Sequence, residues 1–131
     1  MVRLMQSEAN NRVSSATFTQ AEFNPYISVP SDDIPADHPL RRFSRRRHGM
    51  VRADRFYRNG VIWTLLQNQD LCDFVAQTLG YQSLYTYRDP YSSVKINVQP
   101  ARCEFAWHFD NNDFTVSLGL KQCRTGGQFE Y

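Results

Sequence analysis

Cysteine and histidine are both scarce in this 131-residue chain, which has three of each. Cys72, Cys103 and Cys123 are odd in number and far apart, and no two form a C-x-x-C pair. This spacing excludes the usual zinc-ribbon and dithiol redox motifs and offers no disulfide framework. Long apolar runs are missing as well. The longest, "VIWTLL", falls far short of the roughly 20 residues that cross a bilayer. The opening "MVRLMQSEAN" lacks the apolar centre of a secretory signal. A net charge of +2 is too small to imply a nucleic-acid partner by itself. These absences predict a soluble chain in a reducing, cytoplasmic setting, with no membrane partner.

What is present is enough for one domain. Hydrophobic residues make up 41% and aromatics 14%, so a packed core is expected and wholesale disorder is not. Residues 1–40 read as an N-terminal extension and a Pro-rich linker. Residues 1–20 are polar with scattered apolar positions and are expected to be a poorly ordered lead-in. "NPYISVPSDDIPADHP" has four prolines in 16 residues, which favours extended chain. Residues 41–131 hold the periodic segments and read as the domain proper. "LRRFSRRRHG" is a basic, turn-like stretch, and "MVRADRFY" alternates loosely enough for a strand.

The clearest helix spans 69–79. Asn68 or Asp70 can cap it, because a short polar oxygen accepts from the free first-turn N–H groups. Leu71, Phe74, Val75 and Leu79 recur at helical spacing and predict a packing stripe. Gly80 ends it, since glycine takes a left-handed conformation without steric cost. After this helix the period falls from 3.6 to 2. "SLYTYRD", "SVKINVQ", "EFAWHFD", "FTVSLGLKQ" and the start of "QFEY" read as strands, separated by turns rich in Asn, Asp and Gly. The second half is therefore expected to be a β-meander or jelly-roll fragment with a helical flank.

"FAWHFDNND" carries the chemistry. Residues i and i+2 of a strand point to one face, so His108 and Asp110 project together, with Trp107 and Phe109 on the other side. An imidazole nitrogen and a carboxylate oxygen on one face can grip one edge of an octahedral metal. A second histidine would complete the two-His-one-carboxylate triad suited to non-haem iron(II), leaving three positions open. A bare H-x-D pair is a weak signal. The plain alternative is a strand-end histidine bonded to a nearby carboxylate, with Asp110 opening a turn.

The longer pattern "DPYSSVKINV…EFAWHFDNNDFTVSLGLKQCRTGGQFEY" resembles the iron(II)/2-oxoglutarate-dependent dioxygenases. It looks most like a bacterial subgroup with "WHFD", a short turn, "FxVSLxLQ" and "GGxFEY". The resemblance covers about residues 80–131. It implies an α+β fold built on a partial double-stranded β-helix (jelly roll) with an N-terminal helical flank. It also implies Fe(II) and 2-oxoglutarate as cofactors, His108 and Asp110 as metal ligands, and Gly126 and Gly127 in a turn between strands. The family's second histidine and its 2-oxoglutarate-binding arginine lie beyond the "GGxFEY" strand, and neither has a counterpart here. The chain therefore reads as the N-terminal part of such an enzyme, truncated before the closing strands and expected to be weakly active or inactive alone. A carboxylate at position 110 implies hydroxylation, or a related oxidation, of a small molecule such as an amino acid, rather than halogenation.

Other residues carry less. Lys95, Asn97 and Gln99 share a strand face. They bind 2-oxoglutarate or substrate if that face lines a barrel, and are merely solvated if it does not. Trp107 is expected to fill the core. Cys103 and Cys123 are expected to be small core or edge residues. The cluster Arg41–Arg47 holds five of the thirteen arginines but lacks the aromatic interleaving of a nucleic-acid surface, so a solvated basic loop is expected. The rival function is a non-catalytic half-barrel interaction module. Open strand edges would then let it associate with itself or with a second chain.

Overall fold

The computed structural model describes residues 1–110 and 112–130. Far from being a loose lead-in, the first residues fold into helix α1 (Val2–Arg12) and strand β1 (Thr17–Phe23). Met5 and Ala9, one turn apart on the same helix face, are the buried residues of α1. Burying that short stripe is what the polar composition of the segment obscured.

Strand β2 (Ser44–Val51) is central in an antiparallel sheet of order β1-β2-β3, in which β3 spans Ile96–Val98. Thr19 pairs with His48 and Phe23 with Ser44 on one side, and Val51 pairs with Ile96 on the other. The "basic turn-like stretch" is therefore mostly strand. The sheet confines its arginines to alternating faces, leaving Arg45 and Arg47 exposed and Arg46 half-buried.

Helix α2 (Val61–Leu66) buries Ile62 and Trp63. It has no capping side chain of its own. Glu8 of α1 supplies one from a distance, where its Oε2 accepts from the Ile62 N–H at 3.1 Å. A Cβ on Gly60 would run into that carboxylate. Gly60→Ala is expected to displace the Glu8 side chain and remove the cap, costing about 1 kcal/mol, the usual worth of an N-cap. Chemical denaturation of the two proteins measures it.

Helix α3 (Gln69–Leu79) follows the expected boundaries, with Asn68 accepting from the Leu71 N–H at 2.8 Å and Gly80 at φ 76°. Its apolar stripe is only partly covered. Ala76 is buried, but Phe74 remains 65% exposed.

The core is one cluster of Met5, Ala9, Val51, Ala53, Phe56, Ile62 and Trp63, with Val94, Ile96, Val98 and Leu120 packed against it. The alternation expected from "SVKINVQ" is present, with the aliphatic residues inward and Lys95, Asn97 and Gln99 exposed. The Pro-rich stretch has no helix or strand until a 3-10 turn at Pro39–Arg41, but it is pinned. Buried Asn24 donates to the Ser28 and Leu40 carbonyls and accepts from the Tyr26 and Ser28 N–H groups. The Arg41 guanidinium donates to the carbonyls of Ser31, Asp32 and Ile34.

The expected run of strands is reduced. "SLYTYRD" and "FTVSLGLKQ" form none, and "EFAWHFD" contributes a single bridge, Arg47 to Glu104. "QFEY" shows no strand over 128–130, and Tyr131 lies outside the described residues, as does Asn111 of the "NND" turn. Alternating polarity marks residues able to sit in a sheet, but a strand exists only where another backbone pairs with it. Among the described residues "SLYTYRD" and "FTVSLGLKQ" have no such neighbour, and "EFAWHFD" has one at Glu104. The result is a small α+β fold on an open three-stranded antiparallel sheet. Gly126 and Gly127 do take positive φ, 66° and 69°, as expected of a turn.

Candidate functional site

The sheet has two faces. Val51, Ile96 and Val98 point to the helices. Paired residues share a face and alternate along each strand, so Arg46, His48, Met50 and Asn97 occupy the other face. The chain returns across that second face after β3. Arg102 at φ 65° turns it. The Arg47 N–H then donates to the Glu104 carbonyl at 2.8 Å, and Glu104 returns a bond of 3.1 Å. At the far side the Phe109 N–H donates to the Pro25 carbonyl, and the Phe109 ring stacks on Tyr26 at 5.1 Å. Residues 105–108 are thus slung over β2 between two anchors.

Phe105 lies at the centre of this arrangement. Its ring meets His48 edge-on at 4.7 Å and His108 at 4.9 Å. The Arg46 guanidinium lies 4.2 Å from the same ring. Trp107 points away and is 63% exposed, contrary to the expected core role. With Phe105 and His108 turned to the sheet, Trp107 between them faces solvent, while Ala106 is half-buried. Cys123 is also exposed rather than packed, and Cys103 is half-buried.

His108 and Asp110 converge. His108 Nε2 is 3.3 Å from Asp110 Oδ1. The other ring nitrogen, Nδ1, is 2.8 Å from the Ala106 carbonyl oxygen. A carbonyl can only accept, so Nδ1 carries the hydrogen of that bond. In the neutral ring this leaves Nε2 as a bare lone pair facing a carboxylate oxygen. Two acceptors at this separation need a cation between them, either a proton or a metal ion. Two ligand atoms each about 2.1 Å from a metal and at right angles to one another would be about 3 Å apart, so the pair fits an ion with little adjustment. The Ala106 carbonyl holds the imidazole as outer partners of metal-bound histidines do. Thr115 orients the carboxylate, its hydroxyl donating to Asp110 Oδ2 at 2.7 Å. His108 is mostly covered and Asp110 half-exposed, so the pair opens toward solvent on the carboxylate side.

No group of three or more His, Cys, Asp or Glu placed to hold a metal ion occurs among the described residues. His48 comes close, but Phe105 packs edge-on against both imidazoles. Asn97 shares the sheet face of His48 and is exposed, and Lys95 is exposed too. Among the described residues neither is hydrogen-bonded or ion-paired to His108 or Asp110.

Two residues on this face escaped sequence reasoning. His48 is 7% exposed, and its Nδ1 is buried without a hydrogen-bond partner. Burial holds its pKa below the ordinary imidazole value, and the charges of Arg46 and His108 push the same way. Arg46 Nε is likewise buried and unpartnered. Burial pulls the guanidinium pKa down, while the Asp110 carboxylate favours its charge. The available signal was the period-2 pattern in "RRRHGM", which puts Arg46 and His48 on one face.

No helix among the described residues is long and apolar enough to cross a membrane. Compared with protein-family models, with curated proteins and with solved structures, the chain matches none.

Proposed function

We propose that this chain carries the iron-binding edge of a non-haem iron(II), 2-oxoglutarate-dependent oxygenase acting on a small molecule, with His108 and Asp110 as the protein ligands. One observation carries the reading: His108 Nδ1 is held by a backbone carbonyl while Nε2 faces Asp110 Oδ1 at 3.3 Å, an acceptor pair that a divalent cation satisfies when Nε2 carries no proton. The motif around them supplies the choice of metal, since one histidine and one carboxylate are two thirds of the facial set that suits iron(II). The jelly-roll architecture belongs to the same proposal.

The roles of the residues follow from their contacts. His108 donates from Nδ1 to a backbone carbonyl, which fixes its ring and aims Nε2 outward. Asp110 is steered by Thr115 and keeps one oxygen for the metal. Phe105 and the sheet face behind it exclude water from the imidazole side, which strengthens electrostatic interactions there. Iron, when bound, supplies activation of O2 coupled to decarboxylation of the oxo acid, and the protein supplies position and shielding. Two protein ligands hold a divalent ion less tightly than three, so weak binding and little turnover are expected of this chain alone.

Anaerobic titration of the purified protein with iron(II) and then 2-oxoglutarate tests the reading. A visible charge-transfer band that grows with both components is expected. Its absence at millimolar concentrations of each would remove the oxygenase assignment. That outcome would favour the second reading, a non-catalytic module that pairs through its sheet edge. The observation behind that alternative is β1, which lies at the edge of the sheet with every residue but Phe23 exposed.

A further inference from the structure

We infer that two copies of this chain pair through β1, edge to edge and antiparallel, on a twofold axis at Gln20. The geometry of β2 decides which backbone groups of β1 are free. Arg47 exchanges two backbone bonds with Glu104, its N–H donating at 2.8 Å and its carbonyl accepting at 3.1 Å. The N–H and C=O of one strand residue point to the same side, so Arg47 is turned away from β1. Gln20 lies opposite Arg47, and it therefore makes no ladder bonds to β2. Alternation extends this to Phe18 and Glu22. These three residues direct their N–H and C=O groups out of the sheet edge, and no backbone partner meets them among the described residues.

Natural edge strands are blunted by proline, lysine, a bulge or a covering element. β1, with the sequence TFTQAEF, has none of them: its register with β2 is unbroken and every residue but Phe23 is exposed. Its threonines and phenylalanines favour the extended state. A second copy fits this edge because the free residues are symmetric about Gln20. Turned antiparallel, the two strands set Gln20 opposite Gln20, and Phe18 of each copy opposite Glu22 of the other. Each such pair can exchange two N–H···O bonds, so all the outward groups of these residues are met. Thr17 then lies opposite Phe23, and Thr19 opposite Ala21. No like charges oppose one another. Glu22 is the charged residue of β1, and the two copies of it stand about 13 Å apart along the strands. The twofold axis closes the assembly at two chains and joins two three-stranded sheets into one. The pairing rests on the exposed β1 edge of the second reading, for which it supplies the partner, and it does not depend on whether iron binds.

Sedimentation velocity of the full chain over a range of concentrations, in reducing buffer, tests the pairing. A dimer that dissociates on dilution is expected. Gln20→Pro removes an outward N–H that β2 does not use, and an edge strand tolerates proline in that orientation. It is expected to weaken dimerisation at least tenfold while the circular dichroism stays that of the parent. Phe18→Glu and Phe18→Lys test the register, and they carry the test if the proline variant does not fold. Both lose the same ring, which lies over Gly49, but the glutamate opposes Glu22 of the second copy and the lysine pairs with it. The lysine variant is expected to dimerise about fivefold more tightly than the glutamate variant, since two opposite-charge pairs replace two like-charge ones. A parent that stays monomeric up to millimolar concentration overturns the inference. So does a dimer unchanged in a folded Gln20→Pro variant, equal affinity in the two Phe18 variants, or growth past two chains. The iron titration reads a different signal. A dimer that also gives the charge-transfer band keeps the inference and removes the non-catalytic reading, whereas a monomer without the band overturns the inference and leaves that reading with a different partner.

Discussion

Trp63→Ala is expected to remove most of the stability of this domain. Trp63 is 6% exposed in the centre of the core and is flanked by α1, β2 and Phe56 in one apolar cluster. Truncating a buried tryptophan typically costs about 3–5 kcal/mol, the lost transfer energy plus the cavity left behind. Single domains have only about 5–15 kcal/mol in total, and among the described residues this core has seven buried apolar members. Arg58 sits 3.8 Å over the indole ring and would lose that contact as well. Trp63→Phe keeps most of the volume and is expected to lose much less. Urea denaturation followed by circular dichroism compares the three proteins. An alanine variant within about 1 kcal/mol of the parent would mean that the core lies elsewhere.

The second large effect concerns metal affinity. His108→Ala is expected to lower iron(II) affinity by more than about 100-fold, because outer partners of a ligand are alone worth about 10–100-fold. Thr115→Val removes only the hydroxyl that steers Asp110 and is expected to cost about tenfold on the same scale. Calorimetric titration under anaerobic conditions measures all three proteins. The order parent, Thr115→Val, His108→Ala is the signature of a site built on this pair. If His108→Ala binds iron(II) as the parent does, the metal sits elsewhere and His108 is held by Asp110 as an ordinary ion pair. Neither substitution removes core volume, so stability is expected to change far less than in Trp63→Ala.

These two results bear on different parts of the molecule. The Trp63 core lies on the helix side of the sheet, and the His108–Asp110 pair lies across the opposite side. The sheet is thus a wall between a packed face and a chemical face. β2 serves both, sending Val51 into the core and His48 and Arg46 toward the pair. Substitutions in β2 will therefore mix effects on folding and on binding, whereas Thr115 and Asp110, both exposed, report on binding more cleanly.

Local chemistry alone determined several features of this chain. The ends of α3 follow from Asn68 and Gly80, because a cap and a left-handed terminator act within one turn. The inward set Val94, Ile96 and Val98 follows from strand periodicity, whereas His108 and Asp110 come together in a segment that forms no strand, 3.3 Å apart and held by the Ala106 carbonyl and the Thr115 hydroxyl. Tertiary structure decided what depends on distant partners. Met5 and Ala9 became core only because β2 and α2 offered them a surface. The segments after Glu104 stayed largely unpaired among the described residues, since a strand is a relation between two backbones and not a property of one. Arg46 and His48 joined the chemical face because the chain crosses back over β2 some sixty residues later, a long-range contact that periodicity within a single segment cannot encode.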